Sequence, residues 1–177
     1  MKENASLPPS AVVRNYCNLD AEGARLGGST ASDSKQRSIW ELVTWEDEPG
    51  WDSVVAITGF RLLDAREEKD SAVVRVQYDV LGDIAGSRIT VADRNNPSDP
   101  ILKSWQTTDF HLKRTPKGWR IASPVMKPHP VAPVIISHLE GLLASESGPG
   151  ERYDDLVKTL RVLKTRSTVT MSTQTMK

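Results

Sequence analysis

Apolar side chains recur at helical spacing towards both ends of the chain and alternate with polar ones in its middle. Near the N-terminus, Val12, Tyr16 and Leu19 follow a 3.6-residue repeat, which predicts a helix over residues 10–26. We expect the glycine pair at positions 27–28 to end it, because glycine readily adopts the left-handed conformation of a helix C-cap. The same pattern and its breaks predict three further helices, over residues 35–43, 131–145 and 151–164.

Alternation of apolar and polar side chains predicts an antiparallel sheet between these helices. Val76 and Tyr78 share one face of a strand over residues 72–81, and the polar residues between them share the other. A high content of valine and isoleucine predicts another strand over residues 53–63. The charged turn at residues 66–70 separates the two and favours a hairpin.

Residues 104–123 form a second predicted hairpin. Phe110 and Leu112 alternate with polar neighbours along its first strand. The sequence Thr-Pro-Lys-Gly at residues 115–118 has the proline and glycine that a tight turn requires, and Trp119 opens the return strand.

Composition excludes several classes of function. The 177 residues suffice for one domain with a sizeable core and appendages. Lys plus Arg and Asp plus Glu number 23 each, so no net field favours nucleic acid or a membrane surface as a partner. Cys17 is the only cysteine, and the three histidines are not spaced as zinc ligands, so we expect no metal site. No phosphate-binding glycine loop occurs, and no cofactor is expected.

The same features favour a cytoplasmic location. No apolar run approaches the about 18 residues of a membrane span, and the first ten residues lack the apolar core of a signal peptide. An exported protein without its signal peptide would have the same sequence, so this alternative stays open.

The order of elements resembles the NTF2-like superfamily, a cone-shaped, cystatin-like α+β fold that includes SnoaL-like and ketosteroid isomerase-like domains. The hairpin with GWRI at residues 118–121 and the first helix with its tyrosine carry the resemblance. It covers residues 8–126 and implies N-terminal helices packed on a strongly bent antiparallel sheet. Residues 127–164 depart from the family pattern as a C-terminal helical extension. Residues 165–177 are rich in Ser and Thr, and we expect them to be disordered.

Similarity to ketosteroid isomerases implies a candidate acid–base site. In those enzymes a tyrosine at the position of Tyr16 donates a hydrogen bond to the enolate. Their general base is an acid that precedes a proline, which is the position of Asp47 and Glu48 here. A carboxylate lying between Trp45 and Trp51 would be partly desolvated, and its pKa would be raised.

Asp109 and His111 form a third candidate element, because residues i and i+2 share a strand face and could act as an acid–base dyad. Two registers are open for this strand. Counted from the sequence Thr-Asp-Phe, Asp109 corresponds to the acid that joins the tyrosine in the isomerases. Counted from the turn, Phe110 and Leu112 point inward and Thr108 takes the place of the acid. Strand alternation favours the second count.

The resemblance also implies an apolar pocket between the first helix and the sheet, and a homodimer. In the second register Asp109 and His111 lie on the outer sheet face together with Arg75, Gln77 and Asp79, with complementary charge, where family members often dimerise. We therefore expect a module that binds a small hydrophobic molecule or serves dimerisation. The alternative is a cofactor-free isomerase, dehydratase or cyclase that transfers a proton. The expected pocket lining consists of Tyr16, Trp40, Trp51, Tyr78, Gln106, Thr108 and Trp119.

Overall fold

A computed structural model describes the backbone of residues 7–27 and 33–174, and the side chains of residues 7–27 and 34–167. Within these residues the protein is α+β with an antiparallel sheet, as the sequence predicted, and it has five helices and five strands. The helices are α1 (Pro9–Ala21), α2 (Asp33–Trp40), α3 (Pro100–Trp105), α4 (Ala132–Ser145) and α5 (Glu151–Gln174). The strands are β1 (Ser53–Glu67), β2 (Ser71–Ala85), β3 (Arg88–Val91), β4 (Thr107–Thr115) and β5 (Gly118–Ser123). None of the helices in this described part is long and apolar enough to cross a membrane.

Strand β2 is the centre of the sheet. Strand β1 pairs with one edge of it, and register shifts interrupt this pairing. The other edge is shared, because β4 pairs with residues 71–77 of β2 and β3 pairs with residues 82–85. Strand β5 extends the sheet beyond β4 through the turn predicted at residues 115–118.

Helix α1 packs on the sheet face that carries Val74, Val76 and Tyr78, which we call the α1 face. The apolar side of α1 and this face form the first core of the protein. Tyr16 and Trp119 are buried in it. The prediction that the first helix packs on an antiparallel sheet with both side chains buried is therefore confirmed.

Helix α1 ends at Ala21, earlier than predicted, because Gly23 and not the later glycine pair ends it. Gly23 has a φ of 88°, in the region that favours glycine. Its N–H donates to the carbonyl of Asp20, and the N–H of Ala24 donates to the carbonyl of Leu19, each at 3.0 Å. These two bonds are those of a Schellman cap. The cap reverses the chain beside the last turn of the helix.

Helices α4 and α5 cover one end of the opposite sheet face. Val55 belongs to the first core and its neighbour Ala56 to a second, because successive side chains of a strand point to opposite faces. The second core joins Ala56 to Leu139 of α4 and to Leu156 and Leu160 of α5.

Residues 124–131, which we call the crossing segment, lead from β5 to the far edge of β1. The backbone N–H groups of Val55 and Ile57 donate to carbonyls of this segment at 2.9 and 3.1 Å. His129 in its middle lies on the ring of Tyr78, with 4.5 Å between the ring centroids. Because Tyr78 belongs to the α1 face, the crossing segment occupies part of the space in which the sequence predicted a pocket.

Strand β3 and helix α3 were absent from the prediction. Helix α3 begins at Pro100 with Asp99 as its N-cap. The carboxylate of Asp99 accepts the N–H groups of Ile101 and Leu102 at 2.8 and 3.1 Å. Aspartate is common both in turns and at helix N-caps, so a polar sequence here does not by itself distinguish a loop from the start of a helix.

Helix α5 continues to Gln174, past residue 164 where it was predicted to end. The hydroxyls of Thr165 and Ser167 donate to helix carbonyls one turn earlier, at 2.9 and 2.7 Å. Hydroxyl groups that suggested disorder are thus satisfied within the helix. Residues 175–177 of the predicted tail lie outside the described residues, and the division into residues 8–126 and 127–164 stays a prediction.

Candidate functional site

A buried ionic cluster lies at the end of α1, centred on Arg25. The Schellman cap brings the guanidinium of Arg25 to Asp20, which it binds through two hydrogen bonds of 3.0 and 3.1 Å. The Nη1 group also donates to the carbonyl of Met126 at 2.7 Å and lies 3.0 Å from each carboxylate oxygen of Glu48. The side chains of Arg25 and Asp20 are only 3% and 1% exposed. Buried charges require such pairing, and this one links α1, the crossing segment and the loop before β1.

Glu48 is the carboxylate that lies between the two indoles. The Nε1 groups of Trp45 and Trp51 donate to its Oε1 and Oε2 atoms, each at 3.1 Å. Asp47, the other acid proposed for this position, is exposed and accepts the backbone N–H of Glu48 at 2.9 Å. Arg25 and both indoles donate to its two oxygens, so Glu48 is the shared acceptor of three side chains.

Tyr16 lies beside this cluster without access to solvent. The guanidinium carbon of Arg25 is 5.4 Å from its ring centroid, and the ring of Phe110 is edge-on at 5.6 Å. Its hydroxyl has no hydrogen-bond partner among the described residues. Burial raises the pKa of Tyr16 well above 10, Arg25 opposes this shift, and the charges of Asp20 and Glu48 reinforce it. The side chain is therefore a neutral phenol of the core.

His129 is the second buried polar side chain beside the cluster. Its Nδ1 lies 2.8 Å from the carbonyl oxygen of Lys127 and therefore carries the proton that it donates. Its backbone N–H donates to Asp20 at 3.1 Å. Burial lowers the pKa of His129 to about 4. The imidazole is neutral at pH 7, and its Nε2 has no partner in the described part of the chain.

Arg25 and Glu48 also line a cleft, which opens between α4 and the loop of residues 48–53. We call it the α4 cleft, and its volume is about 400 Å³. Its polar groups are the side chains of Arg25, Glu48, Asp52 and His138, together with Ser53. Its apolar wall consists mainly of Leu26, Val54, Ile84, Ile135, Leu139 and Leu142.

Asp109 and His111 lie on the sheet face opposite Tyr16. Both line a shallow groove at the edge of β4. Asp109 accepts two hydrogen bonds from Arg75 across the strands, at 2.7 and 3.0 Å, and this contact lowers the pKa of its carboxyl. The second of the two registers is the correct one, because Phe110 and Leu112 are the buried residues of this strand.

The predicted site residues do not surround one cavity. The crossing segment brings His129 and Met126 against the α1 face, where Met126 lies 3.9 Å from the hydroxyl of Thr108. The hydroxyl of Tyr78 contacts the thiol of Cys17, whose pKa burial raises to about 12. Of the predicted lining residues, Tyr16, Tyr78, Thr108 and Trp119 are buried, Trp51 is half-buried, and Trp40 and Gln106 are exposed.

Sequence reasoning missed Asp20, Arg25 and His138. One signal for the cluster was available, because Asp20 follows Tyr16 by four residues and so lies on the buried side of the same helix. A carboxylate in that position needs a cation. The position of Arg25 depends on the cap at Gly23, and that of His138 on the packing of α4, so neither follows from the periodicity.

Comparisons with protein-family models, with curated proteins and with solved structures find no match. Among residues 7–27 and 33–174, no group of three or more His, Cys, Asp or Glu side chains could hold a metal ion.

Proposed function

We propose that the protein is a binding module that holds a small, largely apolar molecule in the α4 cleft. The observation that carries the proposal is the open cleft itself, whose volume of about 400 Å³ lies in the range of about 300–1,000 Å³ usual for small-molecule sites. Such sites combine apolar walls with a few polar groups that orient the ligand, and the α4 cleft has this composition.

One wall of the cleft is fixed before any ligand binds. Trp51 donates its indole N–H to Glu48, and Glu48 is bound to Arg25. A wall held in this way loses little conformational freedom on binding, which favours affinity.

The proton-transfer alternative has no comparable support. Tyr16 is 0% exposed, and the nearest candidate base, Glu48, is bound by Arg25 and two indoles. Asp109 lies on the opposite sheet face in an ion pair with Arg75. We therefore assign no reaction to the protein.

The NTF2-like resemblance supports a binding role in general terms but suggests another position for the ligand. The pocket that it implies lies between the first helix and the sheet, where Tyr16 and His129 are buried. We retain the NTF2-like fold as part of the proposal, and the packing of α1 on an antiparallel sheet is what supports it.

A pair of neighbouring leucines on α4 tests the proposal. Leu142 lines the cleft, whereas Leu143 is equally half-buried in the second core but is not part of the cleft wall. The neutral fluorescent probe N-phenyl-1-naphthylamine should bind the wild-type protein saturably with one site. We expect Leu142→Trp to weaken this binding at least about tenfold by filling the cleft, and Leu143→Trp to leave it unchanged.

Urea unfolding of both variants checks that each is folded. The proposal is wrong if the wild-type protein shows no saturable binding, or if both variants weaken it equally.

A further inference from the structure

The α4 cleft is apolar at its base and acidic at its rim. Ile84, Ile135 and Leu139 at the base are each 2% exposed. Asp52 lines the rim and is exposed to solvent, as is Gly50 beside it. A ligand with an apolar part and a polar head would therefore place the apolar part at the base and the head near Asp52, since burial of apolar surface drives the orientation.

Carboxylates outnumber cations in and behind the cleft wall. Arg25 is the only Lys or Arg side chain among the described lining residues, and it is bound to two carboxylates, those of Asp20 and Glu48. These three groups carry one net negative charge, and Asp52 adds another. Residues 28–32, which follow the lining residue Gly27, contain no ionisable side chain.

Two further ionisable groups near the cleft, His138 and Lys127, do not change this balance. Burial lowers the pKa of His138 below 6.5, so the imidazole in the cleft wall is neutral at pH 7. Lys127 lies behind Ser53 and is paired with Asp83. An anionic head would meet the carboxylates of Glu48 and Asp52, and the one cation among the described lining residues, Arg25, is already paired, which disfavours such ligands.

Trp51 adds an attraction for the opposite charge. Its indole N–H is taken by Glu48, so Trp51 offers the cleft its ring and not its donor. A tryptophan ring is the aromatic surface that attracts cations most strongly.

We propose that the α4 cleft selects apolar molecules that carry a positively charged head, such as alkylammonium or arylammonium compounds. This inference rests on the proposed binding function and specifies its ligand class. The apolar part lies against Ile135 and Leu139, and the cationic head lies between the ring of Trp51 and the carboxylate of Asp52.

Three probes with the same eight-carbon chain test the charge preference by isothermal titration calorimetry at low salt. They are octyltrimethylammonium, octanol and octanoate, each used below its micelle concentration. We expect the ammonium compound to bind about ten times more tightly than octanol, from the ring contact and one nearby charge. Octanoate should bind more weakly than octanol, and added salt should reduce the difference among the three.

Two matched variants locate the source of the preference. Asp52→Asn should lower the ratio of ammonium to octanol affinity about fivefold, the effect of one unit charge at about 4 Å in water. Asp70→Asn makes the same change of charge at an exposed position of the β1–β2 turn, outside the cleft wall, and should leave the ratio unchanged.

The outcomes separate this inference from the function on which it rests. If none of the three probes binds, the binding function itself is contradicted. If octanol or octanoate binds as tightly as the ammonium compound, the cleft binds ligands but the charge preference is overturned. An equal effect of Asp52→Asn and Asp70→Asn would also overturn it, because the preference would then come from the net charge of the protein.

Discussion

The carboxylate of Glu48 offers about four acceptor positions, and three side chains donate to it. Each oxygen lies 3.0 Å from Arg25 Nη1 and 3.1 Å from an indole nitrogen, that of Trp45 or that of Trp51. The sequence suggested that this carboxylate could be a partly desolvated general base. In the structure it is the shared acceptor of three side chains. Its neighbour Asp47, one residue away, is exposed and contacts only the backbone N–H of Glu48 in the described contacts.

We expect Glu48→Gln to lower the free energy of unfolding by about 3 kcal/mol, because it leaves Arg25 without one of its two carboxylates and turns an amide donor towards other donors. Urea unfolding at pH 7 measures the loss. Asp47→Asn is the matched control, since it makes the same chemical change on an exposed side chain, and it should stay within about 0.5 kcal/mol of the wild type. Equal effects of the two variants would show that the cluster does not stabilise the fold.

His129 makes stability depend on pH. The pKa of its buried imidazole is about 4 in the folded protein and about 6.5 in an unfolded chain. The folded state therefore excludes a proton that the unfolded state accepts, so this contribution is complete above pH 6.5 and is lost as the pH falls towards 4. Within that window it changes by up to about 1.4 kcal/mol per pH unit.

His129→Phe tests this dependence, because phenylalanine keeps a ring against Tyr78 but cannot be protonated. The variant should be less stable at pH 7, through loss of the bond to Lys127. Between pH 6.5 and 4 it should lose less stability than the wild type, so that the two curves of unfolding free energy converge. The curve of unfolding free energy for His138→Gln should converge less with that of the wild type, since that histidine is only half-buried. Parallel curves for His129→Phe and the wild type would contradict the assignment.

Among the elements, α5 shows how a helix outside the predicted domain becomes part of the core. Leu156, Leu160 and Leu163 fall on one side of it and are buried against α4 and the sheet. Lys158 and Arg161 lie between them on the exposed side. A basic amphipathic pattern that could meet a partner is here the solvated side of an intramolecular contact.

We expect Leu156→Ala to lower the free energy of unfolding by about 3 kcal/mol, because it removes a fully buried side chain from the second core. Lys158→Ala, two residues away on the same helix, should change it by less than about 0.5 kcal/mol. Thermal or urea unfolding of both variants provides the measurement. A small effect of Leu156→Ala would mean that α5 does not contribute to the folded core in solution.

At the scale of the whole molecule, the described residues cover the sheet face opposite α1 at one end only. Helices α4 and α5 contact it around Ala56 and Ile84. Nearer the β1–β2 turn, this face carries two exposed cross-strand contacts, Arg75 with Asp109 and Arg61 with Gln77. Groups of both signs on one surface can complement a second copy related by a twofold axis.

We expect the protein to form a homodimer through this uncovered part of the face, at tens of micromolar in sedimentation experiments. Arg75→Glu should shift the protein towards monomer, because it places two acids side by side where an ion pair stood. Arg14→Glu makes the same change of charge on the exposed side of α1, on the other side of the sheet, and should have little effect. A wild-type protein that sediments as a monomer would rule out this surface as a stable interface.

The parts of the fold that the sequence predicted are those set by local periodicity. Three such features are the apolar side of α1, the alternation of apolar and polar side chains around Tyr78, and the turn at residues 115–118. Each depends on neighbouring residues, because side-chain direction repeats within a few positions. For the same reason the burial of Phe110 and the exposure of Asp109 followed once alternation decided the register.

The candidate site depended on contacts that no local pattern contains. Arg25 binds Glu48 across 23 residues and the carbonyl of Met126 across 101 residues. These contacts arise because Gly23 reverses the chain and because the crossing segment returns over the α1 face to β1. The sequence by itself determined which side chains are apolar, which residues alternate and where an acid lies near two tryptophans. Only the tertiary structure decided that this acid is bound, that the crossing segment occupies part of the space over the α1 face and that a cleft opens beneath α4. The reason is that long-range packing chooses among contacts that local periodicity leaves equivalent.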